Sequence, residues 1–217
     1  MSFSKNKYLV IRGAISKELA NFVYRYFLNK RLVAKALFEN NIIDSKSSYF
    51  GSWNDSQIPQ TYSHYSDIAM ETLLSQLKPI IEEYTGLKLV ETYSYARIYK
   101  KGDILHRHKD RLSCEISTTL NLGGPIWPIS LEPDSTKGSV ENGKYVPGNT
   151  KGIEISLTPG DMLIYRGCEL EHWRDAFDSN DCAQVFLHYN NAESSHAQTN
   201  KFDTRPHIGL PASFKKS

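Results

Sequence analysis

The stretch "DILHRHKDRLSCEIS", residues 103–117, crowds His106, His108 and Asp110 among Arg107, Lys109 and Arg111. On an extended strand, residues i and i+2 share a face, with Cα atoms about 7 Å apart. His108 and Asp110 meet that condition. His106 is four residues from Asp110, too far along an extended chain for both to bind one ion, and reads as a rim residue. One imidazole nitrogen and one carboxylate oxygen are two parts of the triad in which two histidines and a carboxylate hold Fe(II) on one octahedral face. The third donor has to come from another strand. His172, in "GDMLIYRGCELEHWRDAF", follows a Pro-Gly-Asp turn and an apolar strand and opens a further one. His188, on a late strand, is the reserve; His64 falls in an irregular segment, and His196 and His207 in a polar tail. A His-x-Asp triplet alone is common by chance, and a salt-bridged turn fits it equally well.

These residues need a scaffold. "YLVIRG" (8–13) reads as a short strand. A helix follows, with Leu19, Phe22, Val23, Tyr26 and Phe27 on its apolar face and Ser16 as its N-cap. Residues 40–65 have no period and are rich in Ser, Asn, Asp and aromatics; an irregular connection and a lid both fit. There Tyr49, Phe50 and Trp53, with the distant Trp127, either line a substrate mouth or anchor loops. A second helix carries Leu73, Leu74, Leu77, Ile80, Ile81 and Tyr84 on one face, is expected to kink at Pro79, and stops at Gly86. Beyond it the period moves toward two, in five or more short strands without helices between them, which predicts an antiparallel sandwich or barrel. The polar, Gly-rich segment 133–152 reads as a loop or hairpin. The fold class is therefore α+β, two helices buttressing an all-β half. Tyr93, Tyr95 and Tyr99 alternate as core-packing residues of a barrel strand. Trp173, opposite in parity to His172, packs behind its strand. Lys109 and Arg111 are expected to face solvent, with Glu115 paired to one of them.

Composition removes other classes. A net charge of +2 over 217 residues is too mild for a nucleic-acid-binding surface. No run of 18 apolar residues predicts a membrane span, and the first residues do not read as a signal peptide, so a cytoplasmic protein is expected. Cys114, Cys168 and Cys182 fit neither a disulfide framework nor a zinc site.

The segment "YARIYKKGDILHRHKDRLSCEISTTLNL" resembles that around the first iron ligands of the prolyl-4-hydroxylase-like 2-oxoglutarate/Fe(II) dioxygenases, of the small bacterial and phage type. The shared pattern is Arg97-x-Tyr99, Gly102, then Leu105-x-x-His108-x-Asp110 and a strand. "PGDMLIYRGCELEHWR" is similar to the family's Gly-Asp strand and distal histidine, and "AQVFLHY" to its last core strand. The resemblance implies one dioxygenase domain over 1–217. A double-stranded β-helix (jelly-roll) core would occupy 91–190, helical support with a lid loop 1–90, and a tail 191–217. It implies Fe(II) on His108, Asp110 and His172, 2-oxoglutarate as co-substrate, O₂, and hydroxylation of a C–H bond in a small molecule or peptide, a prolyl residue among the candidates, with release of succinate and CO₂. The carboxylate Asp110 favours hydroxylation, since halogenating relatives lack it. The family also needs a basic residue for the far carboxylate of 2-oxoglutarate, nine or ten positions past the distal histidine; here Cys182 stands in that neighbourhood. Arg174, two residues past His172 and on the same face, is the expected replacement, helped by Tyr99 or Gln184, with Arg97 next in line. A surface salt bridge from Arg174 to Glu171 or Asp175 is its ordinary alternative. A cupin-like metal protein that does not use 2-oxoglutarate, and a non-catalytic binding module, are the competing readings.

Overall fold

The computed structural model describes residues 2–44 and 47–216. Helix α1 (Phe3–Asn6) and strand β1 (Tyr8–Ile11) precede α2 (Lys17–Glu39), β2 (Tyr62–Tyr65) and α3 (Ile68–Thr85). The β half follows as β3 (Leu89–Tyr99), β4 (Leu105–His108), β5 (Ile116–Gly123), β6 (Ile129–Leu131), β7 (Ser139–Glu141), β8 (Lys144–Val146), β9 (Ile153–Ile155), β10 (Met162–Arg166), β11 (His172–Arg174) and β12 (Cys182–Asn191).

Six strands form one sheet in the order β1-β10-β5-β12-β3-β2, and four form a second, β4-β11-β6-β9. From β3 to β12 the core strands alternate between the two sheets except at β6 and β9, which follow one another in the smaller sheet on either side of β7 and β8, and all pairings are antiparallel. That winding is a double-stranded β-helix, the expected jelly roll. Pleating sorts each strand of the large sheet by side. On β3, Ala96 and Ile98 join Val23, Phe27, Leu74, Leu77 and Ile81 in the core beneath the helices, while Tyr93, Tyr95, Arg97 and Tyr99 line a cavity on the other face. The tyrosines therefore form a cavity wall; Tyr99 also packs in a core cluster with Leu105, Trp127 and Phe177, as the sequence predicted.

Both helices begin at the side-chain caps their sequences offer. Ser16 Oγ accepts from the Leu19 amide at 3.2 Å, and Asp67 Oδ1 from the Met70 amide at 3.1 Å. The buried face of α2 differs from the expected one. Ala20, Val23, Phe27 and Ala34 are buried, whereas Leu19 and Phe22 are 37% and 70% exposed. The two alanines let the helix approach the sheet closely, and Tyr24 fills the space above Gly123. On α3, Leu73, Leu74, Leu77 and Ile81 are buried as expected, Tyr84 is exposed, and Pro79 is carried inside one continuous helix ending at Gly86.

The segment 40–65 is not wholly irregular. Its last residues, as β2, pair with β3 at the edge of the large sheet. Phe50 and Trp53 pack against the helix-side core and anchor the loop, Tyr49 is exposed, and none of the three lines the cavity. The insert 133–152 contains a hairpin, β7–β8, whose Asn142-Gly143 turn has φ of 50° and 76°, a left-handed pair that fits a two-residue hairpin. Its base docks on Glu171, which accepts from Tyr145 Oη at 2.7 Å, the Gly148 amide at 2.9 Å and Arg107 Nε at 2.8 Å. No helix among the described residues is long and apolar enough to cross a membrane.

Phe27→Ala should cost about 3–5 kcal/mol, while Phe22→Ala should change stability by no more than about 0.5 kcal/mol. Urea denaturation midpoints of the two variants measure this, and equal losses would contradict the buried face assigned to α2.

Candidate active site

The register between β4 and β11 sets His108 directly opposite His172. Between this pair and Leu105–Arg174, β4 carries two residues, His106 and Arg107, where β11 carries one, Trp173, a bulge of the kind found beside functional sites. The bulge leaves His106 exposed, as expected of a rim residue, and turns Arg107 outward to Glu171 and over the Trp173 ring at 4.1 Å. Trp173 thus packs behind its strand, as its parity predicted. Asp110 lies just past β4. Its place comes from a backbone hydrogen bond, Asp110 N to Gly167 O at 2.9 Å, and not from the shared strand face that the sequence suggested.

The three side chains converge. Asp110 Oδ1 lies 3.6 Å from His108 Nε2 and 3.4 Å from His172 Nε2. Adjacent donors on an octahedral ion with bonds of about 2.1 Å lie about 3 Å apart; the carboxylate is within tenths of an ångström of that spacing to both imidazoles, and all three ligand atoms lie within 4.8 Å of one another. Their outer atoms are already committed. His108 Nδ1 meets His106 O at 2.7 Å and His172 Nδ1 meets Leu170 O at 3.1 Å. A carbonyl only accepts, so each Nδ1 carries a proton and each Nε2 is the nitrogen turned to the centre. Asp110 Oδ2 accepts from Ser117 Oγ at 2.7 Å, which leaves Oδ1 for the centre. A Cβ on Gly167 would stand 2.3 Å from Asp110 Oδ2 and 2.5 Å from Cys114 O, so this crossing admits only glycine. The donor set, its tautomers and its outer hydrogen bonds fit a divalent first-row metal.

Burial works against the ionised Asp110, but the charge of His172 and hydrogen bonds from both histidines outweigh it and hold the carboxyl well below its usual range. His108 is desolvated too, yet the Asp110 hydrogen bond and charge move it up. His188 stands beside the triad, Nδ1 3.0 Å from Ser117 Oγ, in a second convergent group with Asp110 and Cys114. Burial brings its pKa down to about 4, so it is neutral near pH 7.

A cavity of about 320 Å³ opens on the triad, walled by Tyr93, Tyr95, Tyr99, Tyr165 and Phe186. Arg174 lies one layer deeper, 1% exposed. Its Nη1 donates to Trp127 O and its guanidinium stands 5.0 Å from the centre of that ring. It pairs with neither Glu171, which is held by Arg107, nor Asp175. Trp127 is committed to this layer, its Nε1 donating to Asp175 O at 3.0 Å, and does not line the cavity mouth. Among the described residues Arg174 has no carboxylate partner. Arg174 Nε, Tyr99 Oη and Gln184 Oε1 are all buried without a hydrogen-bond partner. Cys182 is opposite Tyr99 on β3 and within electrostatic reach of Arg174, so the cation comes from β11 to the neighbourhood of the β12 position.

Other expectations need correction. Arg111 is half-exposed but lines the cavity, and it grips Asp203 through two nitrogens at 2.8 Å each. Lys109 also lines the cavity and donates to Ser135 O at 3.1 Å. Glu115 pairs with neither; a 3₁₀ turn, Leu112–Cys114, intervenes, and Glu115 meets His196 at 3.3 Å and Arg166 at 3.9 Å instead. Sequence reasoning missed Ser117, Gly167, Asp55 and Gln57. The last two come from the loop before β2, where only its unusual length signalled a role.

No protein-family model matches the sequence, and no curated protein matches it. Solved structures do share its fold. A prolyl-4-hydroxylase from Pseudomonas putida superposes with a TM-score of 0.60 at 12% identity, over 88% of this chain and 96% of that one. EctD from S. alaskensis with bound Fe gives 0.60 at 16% identity, over 100% and 85%. HygX from Streptomyces hygroscopicus, with nickel and 2-oxoglutarate bound, gives 0.59 at 14% identity, over 99% and 92%. The chain therefore has the fold of these oxygenases.

Calorimetric titration with Mn(II) tests the centre. Alanine at His108, Asp110 or His172 should abolish binding, and Ser117→Ala should weaken it by about ten- to a hundredfold through the loosened Asp110. Undiminished affinity in the His172 variant would exclude it as a ligand.

Proposed function

We propose that this chain, as one catalytic unit over 1–217, is an Fe(II)- and 2-oxoglutarate-dependent dioxygenase. It hydroxylates a C–H bond of a small molecule or peptide, a prolyl residue among the candidates, and releases succinate and CO₂. The observation that carries the reading is the interior charge beside the triad. A buried guanidinium, Arg174, has no carboxylate partner among the described residues, and its Nε and the Tyr99 hydroxyl within its electrostatic reach both lack a hydrogen-bond partner. A buried cation left so is costly, and a dicarboxylate held at the triad would supply its counter-charge.

His108, Asp110 and His172 would hold the iron, and Arg174, with Tyr99 and Gln184, would receive the far carboxylate of 2-oxoglutarate. Bound iron would supply the activation of O₂ coupled to oxidative decarboxylation of the keto acid. The two backbone carbonyls fix both imidazoles in the ligating tautomer. Ser117 orients Asp110. The aromatic wall limits water near the centre. Desolvation pushes the hydroxyls of Tyr93 and Tyr165 well above their ordinary pKa, so both remain neutral phenols that add no charge to the cavity.

Cys182, where a basic residue is expected, favours a second reading, a cupin-like metal protein that makes no use of 2-oxoglutarate. Succinate release separates the two. Fe(II) and 2-oxoglutarate together should yield succinate, and His108→Ala should yield none. Arg174→Gln should raise the KM for 2-oxoglutarate by about tenfold or more, the worth of a charge-assisted hydrogen bond, with Mn(II) affinity retained. Metal uptake without succinate would establish the cupin-like reading in its place.

A further inference from the structure

A second buried guanidinium faces the cavity. Arg97 projects from the middle of β3, is 2% exposed, and lies 5.2 Å and 5.5 Å from the centres of the Tyr95 and Tyr99 rings. Its one carboxylate partner among the described residues is Asp55, in the loop before β2. Asp55 Oδ2 accepts from Arg97 Nη2 and Tyr95 Oη, and Oδ1 accepts from the Gln57 amide at 2.7 Å. Gln57 Oε1 takes two further bonds from Arg97 at 3.2 Å. Its other end reaches the centre, with Nε2 3.4 Å from His108 Nε2. Arg97 Nε has no partner.

The two partners differ in how their backbones are held. Arg97 stands on a strand hydrogen-bonded on both sides, β12 and β2. Asp55 and Gln57 stand outside any helix or strand, on a loop closed by the Ser52–Ser63 bridge and the Gln60 N to Trp53 O bond. In any exchange the loop carboxylate leaves and the arginine stays. We propose that the organic substrate carries a carboxylate that takes the place of Asp55 on Arg97 and Tyr95, and that this exchange withdraws Gln57 from the metal-facing nitrogen of His108. The inference rests on the dioxygenase reading and names its substrate class, an acid such as a free amino acid or a chain terminus.

Charge balance selects an acid over an amine. An incoming carboxylate keeps Arg97 neutralised while Asp55 moves into water. An ammonium group captured by Asp55 would leave a buried Arg97 without its counter-ion. The other cations on the cavity wall point the same way: Lys109 donates to a carbonyl, and Arg111 is already paired with Asp203.

The test removes the latch and supplies a small carboxylate to the Mn(II)-loaded full chain. In Asp55→Ala, acetate should raise the melting temperature by several degrees more than acetamide does, with an apparent affinity about tenfold or more above that of the wild type. In Asp55→Ala/Arg97→Gln, acetate and acetamide should act alike, which separates the arginine from acetate bound at the metal. Equal responses to acetate and acetamide in the single variant would overturn the inference, as would stabilisation of the wild type by methylammonium in preference to acetate. A raised 2-oxoglutarate KM in Arg97→Gln with an unchanged one in Arg174→Gln would also overturn it, since Arg97 would then be the keto-acid site. Failure of these tests in a protein that still makes succinate leaves the dioxygenase reading standing. An acetate response without succinate keeps the anion site and removes the catalytic reading.

Discussion

Two imidazoles placed opposite each other across an antiparallel ladder are the constraint from which the site follows. β4 and β11 fix His108 and His172 as Cα partners, and one backbone hydrogen bond from Asp110 to Gly167 closes the triangle. A strand pair tolerates no small error here, because a slip of one residue would send an imidazole to the opposite face. The chain guards the register from outside the barrel. Arg107 and Glu171, each the neighbour in sequence of a triad histidine, form a buried ion pair at 2.7 Å that also involves Glu132. A ladder with only three or four residues per strand gains its definition from that network as much as from its own backbone bonds.

The interior combines this rigidity with an unusual amount of polarity. Ser117, Thr119, Asn121, Gln184 and two arginines are buried among the strands of the large sheet and β11. A core built only for stability would fill such positions with aliphatic side chains, as the helix-facing side of the same sheet does. The two arginines also differ in kind. One has a carboxylate on a loop, and the other has none among the described residues, so the folded chain retains electrostatic cost that a bound anion can offset.

Periodicity made the architecture legible. The change from a helical repeat to alternation at Gly86, the capping Ser16, and the turn residues in 133–152 each correspond to a real boundary. The convergence of His108, Asp110 and His172 was legible as a spacing plus a late histidine, and the inward direction of Arg174 as a parity argument. What stayed hidden depends on contacts between distant segments. Nothing in "SWNDSQIP" says that Asp55 will meet Arg97 or Gln57 will reach His108, because a loop carries no period and its side chains are placed by whatever it crosses. The face of α2 was misjudged for a related reason. Hydrophobicity nominated Leu19 and Phe22, while the fit against the sheet preferred the small Ala20 and Ala34. Asp110 reached the expected place by a different route, through the Gly167 carbonyl.

The hairpin β7–β8 joins two regions of opposite character. Its tip is solvent-exposed on both strands, while its root ends on Glu171, one peptide bond from His172. A fluorophore or a grafted peptide could be carried at Asn142-Gly143 without touching the barrel. Alterations at Tyr145 or Gly148 would instead be felt along the backbone at an imidazole. The insertion is thus an attachment point for engineering at one end and a tuning screw for the centre at the other.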